Sequence, residues 1–178
     1  MHAHLADVVT QLDTARAQLR AAVDLVPMNL RARRPAEERW SVADVLEHLS
    51  LVEVRFAAII AQRIAEAREA GLGPEQDSRV PFPVKLRQQL ADRADRRTAP
   101  QSVQPRGVID PDAAWAEVER ARAILLETVT SADGLALSQV THSHPIFGTL
   151  NVYQLMEFIA GHEARHSKQI AGIAGELT

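Results

Sequence analysis

Apolar residues recur at three- and four-residue steps in four long stretches, each bounded by residues that start or stop helices. Leu5, Val8, Val9, Leu12, Leu19, Val23 and Val26 form the first face, which Pro27 ends. After an arginine-rich turn through Arg31, Arg33, Arg34 and Pro35, Ser41 reads as an N-cap and Asp44 as its capping-box acid, with Trp40 placed to staple on Val45. The second face, Val42, Val45, Leu49, Val52, Phe56, Ile59, Ile60 and Ile64, runs until Gly71-Leu72-Gly73-Pro74. Asp110-Pro111-Asp112 supplies an N-cap, a first-turn proline and an N-terminal acid for a third helix. Its face carries Trp115, Val118, Leu125 and Val129, and it ends before Gly134. Asn151 and Gln154 resemble a second capping box, Leu150 is placed to staple on Leu155, and the fourth face follows through Val152, Leu155, Phe158, Ile159, Ile170 and Ile173.

Between the second and third helices lies a long connection, residues 71–110, containing Pro74, Pro81, Pro83, Pro100 and Pro105. A short helix fits around Val84–Asp95, but the prolines argue against a continuous element. That length permits a crossover along a bundle instead of a tight hairpin. Four amphipathic helices with little strand signal predict an all-α four-helix bundle, and 178 residues fit one domain spanning 1–178.

Composition narrows the function classes. With 46% hydrophobic and 24% charged residues the chain reads as an ordinary globular domain, and a net charge of −3 argues against a dedicated polyanion binder. Arg79, Lys85, Arg87, Arg93, Arg96, Arg97 and Arg106 make the crossover locally basic, but Phe82 is the one aromatic there and no recognition motif accompanies the charge. A solvated crossover is therefore expected, with no nucleic acid as partner. The N-terminus lacks a basic region followed by an apolar one, and charges interrupt every apolar stretch short of the ~20 residues a membrane helix needs. The expectation is a cytoplasmic protein without a membrane span. Cysteine is absent, so a metal site must use nitrogen and oxygen ligands.

The seven histidines carry the chemistry. His162 and His166 are four apart in the fourth helix, within about 40° of each other and close to Leu155, Phe158, Ile159, Gln169 and Ile173. Two imidazoles one turn apart are a recurrent way to present two nitrogens to a metal; the plainer reading is a pair of core histidines satisfied by hydrogen bonds. His48 on the second helix, in line with Val45, Val52 and Ile59, is the third candidate, since bundles assemble metal sites from facing helices. Three histidines would leave coordination positions open, as catalytic sites do.

His162-Glu163-Ala164-Arg165-His166 also spells the zinc-protease string H-E-x-x-H, but only 12 residues follow it and none is histidine. Glu163 lies about 100° around the helix from His162, a place for a flanking residue as much as for a base. Glu163, His144 and Arg165 are the weak catalytic candidates at the pocket edge. His142 and His144 fall in a loop before the fourth helix, and His2 and His4 in a frayed terminus.

Two blocks resemble the DinB-like superfamily of small bacterial four-helix-bundle metalloproteins, which includes YfiT-like proteins presumed to be metal-dependent hydrolases. One runs Arg39-Trp40-Ser41 through His48-Leu49; the other runs from His144-Pro145-Ile146-Phe147-Gly148 to His162, His166, Gln169 and Ile170. Ala99-Pro100 through Pro105 looks like the family's proline-containing segment before the third helix. The resemblance implies an up-down-down-up bundle, one divalent metal on His48, His162 and His166, and frequently a homodimer. Imidazole ligation suits zinc or nickel best. It also implies a small-molecule substrate and a metal-dependent hydrolase, or a transferase using a low-molecular-weight thiol such as bacillithiol or mycothiol. A metal bound there would lower the pKa of water or of such a thiol. The competing expectation is a metal-stabilised bundle that binds a ligand without chemistry.

Overall fold

The structure, a computed structural model, describes residues 1–76, 82–84, 90, 98–107 and 109–177. Four helices dominate it: α1 (Ala3–Asp24), α2 (Val42–Glu69), α3 (Pro111–Thr130) and α4 (Val152–Leu177). Each of the last three begins where local chemistry sets it. Ser41 Oγ accepts the Asp44 N–H at 3.1 Å while Asp44 returns the bond to Ser41 N at 2.9 Å. Asp110 Oδ1 accepts from Asp112 N at 2.9 Å and Ala113 N at 3.3 Å, with Pro111 in the first turn where its missing N–H costs nothing. Asn151 and Gln154 close a reciprocal box at 3.0 and 2.9 Å.

Contacts between helix ends give the topology. His4 near the start of α1 stacks on Tyr153 near the start of α4, so these two run parallel. Arg68 at the end of α2 donates to the Ser131 carbonyl just past the end of α3 at 2.6 Å, so that pair is parallel too. Arg39 before α2 holds Glu176 near the end of α4, which makes those two antiparallel. The order is up-down-down-up, with α1 packed along α4 and α2 along α3. A parallel α2–α3 pair requires the chain to travel back over about 40 Å, the length of α2, and this is what the long connection does. Its end is tied to α2: Glu47, buried, accepts from Arg106 N (3.0 Å), Arg106 Nε (3.1 Å) and Gly107 N (3.4 Å). Gly107 has φ +75°, a backbone conformation that favours glycine, and a Cβ there would also displace the tip of the Arg34 side chain, 2.7 Å away.

The short helix expected around 84–95 falls largely outside the described residues, as does the basic run apart from Arg106, which is paired with Glu47. Two other expectations are corrected. The loop before α4 is a β-hairpin, with β1 (Thr141–His144) pairing antiparallel to β2 (Gly148–Asn151) and His144 opposite Gly148. Pro145, Ile146 and Phe147 form its three-residue turn, closed by Gly148 at φ +73°, a residue and conformation suited to such loops. Nor is the N-terminus frayed. His2 Nδ1 accepts the His4 N–H at 3.3 Å and caps α1, His2 N donates to Asp133 at 2.7 Å, and His4 is buried on Tyr153.

The apolar interior forms two clusters. Between them, at mid-bundle, each helix contributes one charged side chain: Arg16, Glu53, Arg122 and Glu163. Arg16 donates to Glu163 at 2.6 Å and to Glu53 at 3.1 Å. Arg122 donates to Glu53, to Glu163 at 2.7 Å and to the Leu12 carbonyl at 2.9 Å. Burial raises the Glu53 carboxyl above the ordinary range against the opposing pull of Arg122 and Arg16. Burial also disfavours the charged Arg122, but Glu53 and Glu163 more than offset it. Two cations and two buried anions thus balance in a layer where an unpaired charge would be very costly, and at its edge Arg16 also donates to the exposed Glu119 at 3.1 Å.

A candidate metal centre

His48 comes from the second turn of α2, and His162 and His166 from one face of α4. Their Nε2 atoms converge: His162 Nε2 lies 3.4 Å from that of His48 and 3.2 Å from that of His166. Three nitrogens on a tetrahedral ion at 2.0–2.1 Å stand about 3.3–3.4 Å apart, so the spacing suits a divalent cation. Among the described residues these three histidines form the group whose ligand atoms all approach within 4.8 Å.

The other ring nitrogens explain the orientation. His48 Nδ1 donates to the Val103 carbonyl at 2.7 Å, and His166 Nδ1 donates to Gln169 Oε1 at 2.8 Å. Each bond fixes the proton on Nδ1 and leaves Nε2 as a lone-pair acceptor, the arrangement metal-binding imidazoles show. Both lone pairs point toward His162 Nε2, whose single proton can serve only one of them. A cation satisfies all three.

Electrostatics favour neutral rings. Burial lowers the His48 pKa, partly opposed by the Val103 bond. Burial, and then the fields of His166, His48, Arg165 and His144, hold His162 well below the ordinary histidine value. Neutral imidazole is the form that binds metal.

The cluster opens onto a pocket of about 510 Å³, within the range of small-molecule sites. Trp40 tilts over His48 with ring centroids 4.9 Å apart, and Phe158 stacks on His162 at 5.8 Å. His144 packs among Phe56, Phe147 and Phe158. Its Nδ1 accepts from Ile146 N at 3.1 Å and Phe147 N at 3.3 Å, so the neutral ring carries its proton on Nε2. His142 and Arg165 also line the pocket.

Glu163 does not reach this pocket. Both its oxygens are held by Arg16 and Arg122 in the ion layer, which removes it as a base and with it the protease reading of H-E-x-x-H. Three contributions escaped the sequence reading. Trp40 packs against the core cluster containing Val45, as a staple would, and is a pocket wall as well; the Val103 carbonyl comes from the crossover; and the ion layer stands behind the histidines. Only the ion layer left a trace, since Arg16, Glu53, Arg122 and Glu163 each occupy a core step such as Leu12-Arg16-Leu19 or Val118-Arg122-Leu125.

Known proteins agree with this architecture. The chain is similar to the uncharacterized protein YuaE of Bacillus subtilis (strain 168), 27% identical over 146 residues, covering 82% of this chain and 83% of that one. Its fold is similar to that in the crystal structure of TT2238, a four-helix bundle protein, with a TM-score of 0.57 and 23% identity over 94% of this chain and 98% of the other. A family model of the DinB superfamily matches residues 11–170, nearly the whole bundle including all three clustered histidines, and the chain belongs to that superfamily.

Proposed function

We propose that the protein is a metal-dependent enzyme that holds one divalent ion, zinc or nickel, on His48, His162 and His166 and acts on a small molecule in the adjoining pocket. The observation that carries this is the convergence of three Nε2 atoms at 3.2 and 3.4 Å, with the Nδ1 protons of His48 and His166 engaged elsewhere. A divalent ion in such a three-nitrogen site supplies Lewis acidity and lowers the pKa of water or of a thiol beside it. The reaction class this fits is hydrolysis or transfer of a low-molecular-weight thiol; with no cysteine in the chain, the thiol must come with the substrates.

The residues around the site have separable tasks. Trp40 and Phe158 shield the histidines from bulk water on two sides, which strengthens electrostatic interactions within. His144, with its proton set on Nε2 by two backbone donors, offers a hydrogen bond to a substrate oxygen or leaving group. Val103 and Gln169 keep two of the three imidazoles in the right tautomer.

The test is turnover of zinc- or nickel-loaded protein on activated esters, and on electrophiles offered with bacillithiol or mycothiol. Turnover that disappears in His162→Ala supports the proposal. Ligand binding without turnover, unaltered when metal is stripped, would establish the non-catalytic bundle instead.

A further inference from the structure

The pocket has two chemically different parts. Trp40 lies over the cluster of His48, His162 and His166 in one; Arg55 and His142, near enough for the Arg55 charge to act on the imidazole, line the other. Arg55 is seven residues beyond His48 on α2, so it lies on nearly the same side of the helix and about 10 Å further along its axis.

Three arginines line the pocket, and two have strong acceptors. Arg39 is held by both oxygens of Glu176 at 2.5 and 2.9 Å, and Arg165 donates to the Leu90 carbonyl at 3.2 Å. Arg55 differs. Its Nη1 donates to the neutral Ser102 hydroxyl at 2.6 Å, and among the described residues no carboxylate pairs with it. His142 faces the same space from β1. Burial, and then the fields of Arg63 and Arg55, hold its imidazole below the ordinary histidine pKa, so the local potential is positive. Arg63 is matched by Glu66. Among the described lining residues the one carboxylate is Glu38, next to Arg39 and Trp40 in the other part. Between the two parts lie Phe56, Ile59 and Phe158, with the His144 ring packed against the two phenylalanines.

We infer that Arg55 and His142 form a seat for the anionic group of a small organic acid. The acid's apolar body lies along Phe56, Ile59 and Phe158, and its far end reaches the histidine cluster. A guanidinium suits a carboxylate or a phosphate equally, through paired charge-assisted hydrogen bonds. The inference takes this pocket as the substrate site, as proposed above, but it does not require the metal.

Calorimetric titration of 5-phenylpentanoate, 4-phenylbutyl phosphate and the neutral 5-phenylpentan-1-ol tests it. The proteins are wild type, Arg55→Gln and His162→Ala, with His48→Ala as a second histidine variant and metal content measured on the same preparations. At least one anion is expected to bind wild type about tenfold more tightly than the alcohol, the order of one charge-assisted contact. Arg55→Gln, at an exposed position, should abolish that preference and leave the alcohol's affinity unchanged, while the histidine variants keep the preference. The tighter anion identifies the headgroup. Equal affinity for anions and alcohol, no anion binding at millimolar concentration, or a preference that survives Arg55→Gln overturns the seat. A preference lost only in the histidine variants also overturns it, placing the anion on the cluster. Wild-type protein that takes up no zinc or nickel when offered it, yet keeps an Arg55-dependent preference, would defeat the metalloenzyme proposal and leave the seat standing.

Discussion

The ion layer and the histidine cluster occupy neighbouring positions of α4, Glu163 in one and His162 and His166 in the other. Both take buried polar groups from α2 and α4, and the layer adds Arg16 from α1 and Arg122 from α3. The layer is closed: two guanidinium groups meet two carboxylates, and both oxygens of Glu163 are taken. The cluster is open: the hydrogen bonds that would normally quench a buried imidazole are spent on the outer nitrogens, and the inner ones gather acceptors without enough donors. Burial of polar groups is common to structural and functional sites; matching is what separates them. A self-sufficient network ties the four helices together, whereas converging imidazole acceptors can hold a cation.

Several changes break this contrast in a defined order. Glu163→Ala should be the most damaging, because it leaves Arg16 and Arg122 short of a buried counter-charge; a loss of about 3–5 kcal/mol in urea unfolding is expected, a large part of a domain's stability. Next comes Gln169→Ala, which frees the His166 ring without touching a proposed ligand. Competition with a chromogenic chelator should show metal affinity lowered about 10–100-fold, with metal-free stability near that of wild type.

The smallest effect is on pH dependence in the presence of a chelator. His48 and His162 have folded pKa values below the ordinary 6.5, so below that pH the unfolded chain binds more protons and stability falls as pH falls. Glu53, raised above 4.5, acts with the opposite sign: the folded state takes up the proton first, and stability is gained as pH falls through its raised pKa toward 4.5. His162→Ala should therefore flatten the acid limb below pH 6.5, and thermal unfolding across pH 5–7 measures it.

The helices were legible because their starts are local events. Ser41 with Asp44, Asp110 with Pro111 and Asn151 with Gln154 need only a few residues to act, and all three caps form as the sequence predicts. The histidine group was legible for a related reason, since phase along α4 places His162 and His166 on an inward face and phase along α2 places His48 at the margin of the apolar stripe. What escaped depends on distant partners. The hairpin strands are four residues each, too short for alternation to register. His4 is ordered by Tyr153, far away in sequence. The Val103 carbonyl that orients His48 has no side-chain signature at all. The ion layer was readable in principle, because four charged residues stand in core phase on four helices, but a reading that follows apolar residues steps over them.

The most direct test is elemental analysis of purified protein and of His162→Ala, His166→Ala and the triple variant lacking all three histidines. A three-histidine metal centre predicts about one divalent ion per wild-type chain and near-complete loss in each variant, with the helical fold kept by the intact ion layer. Full metal occupancy in the triple variant, or a folded wild-type protein that takes up no zinc or nickel when offered it, would contradict it.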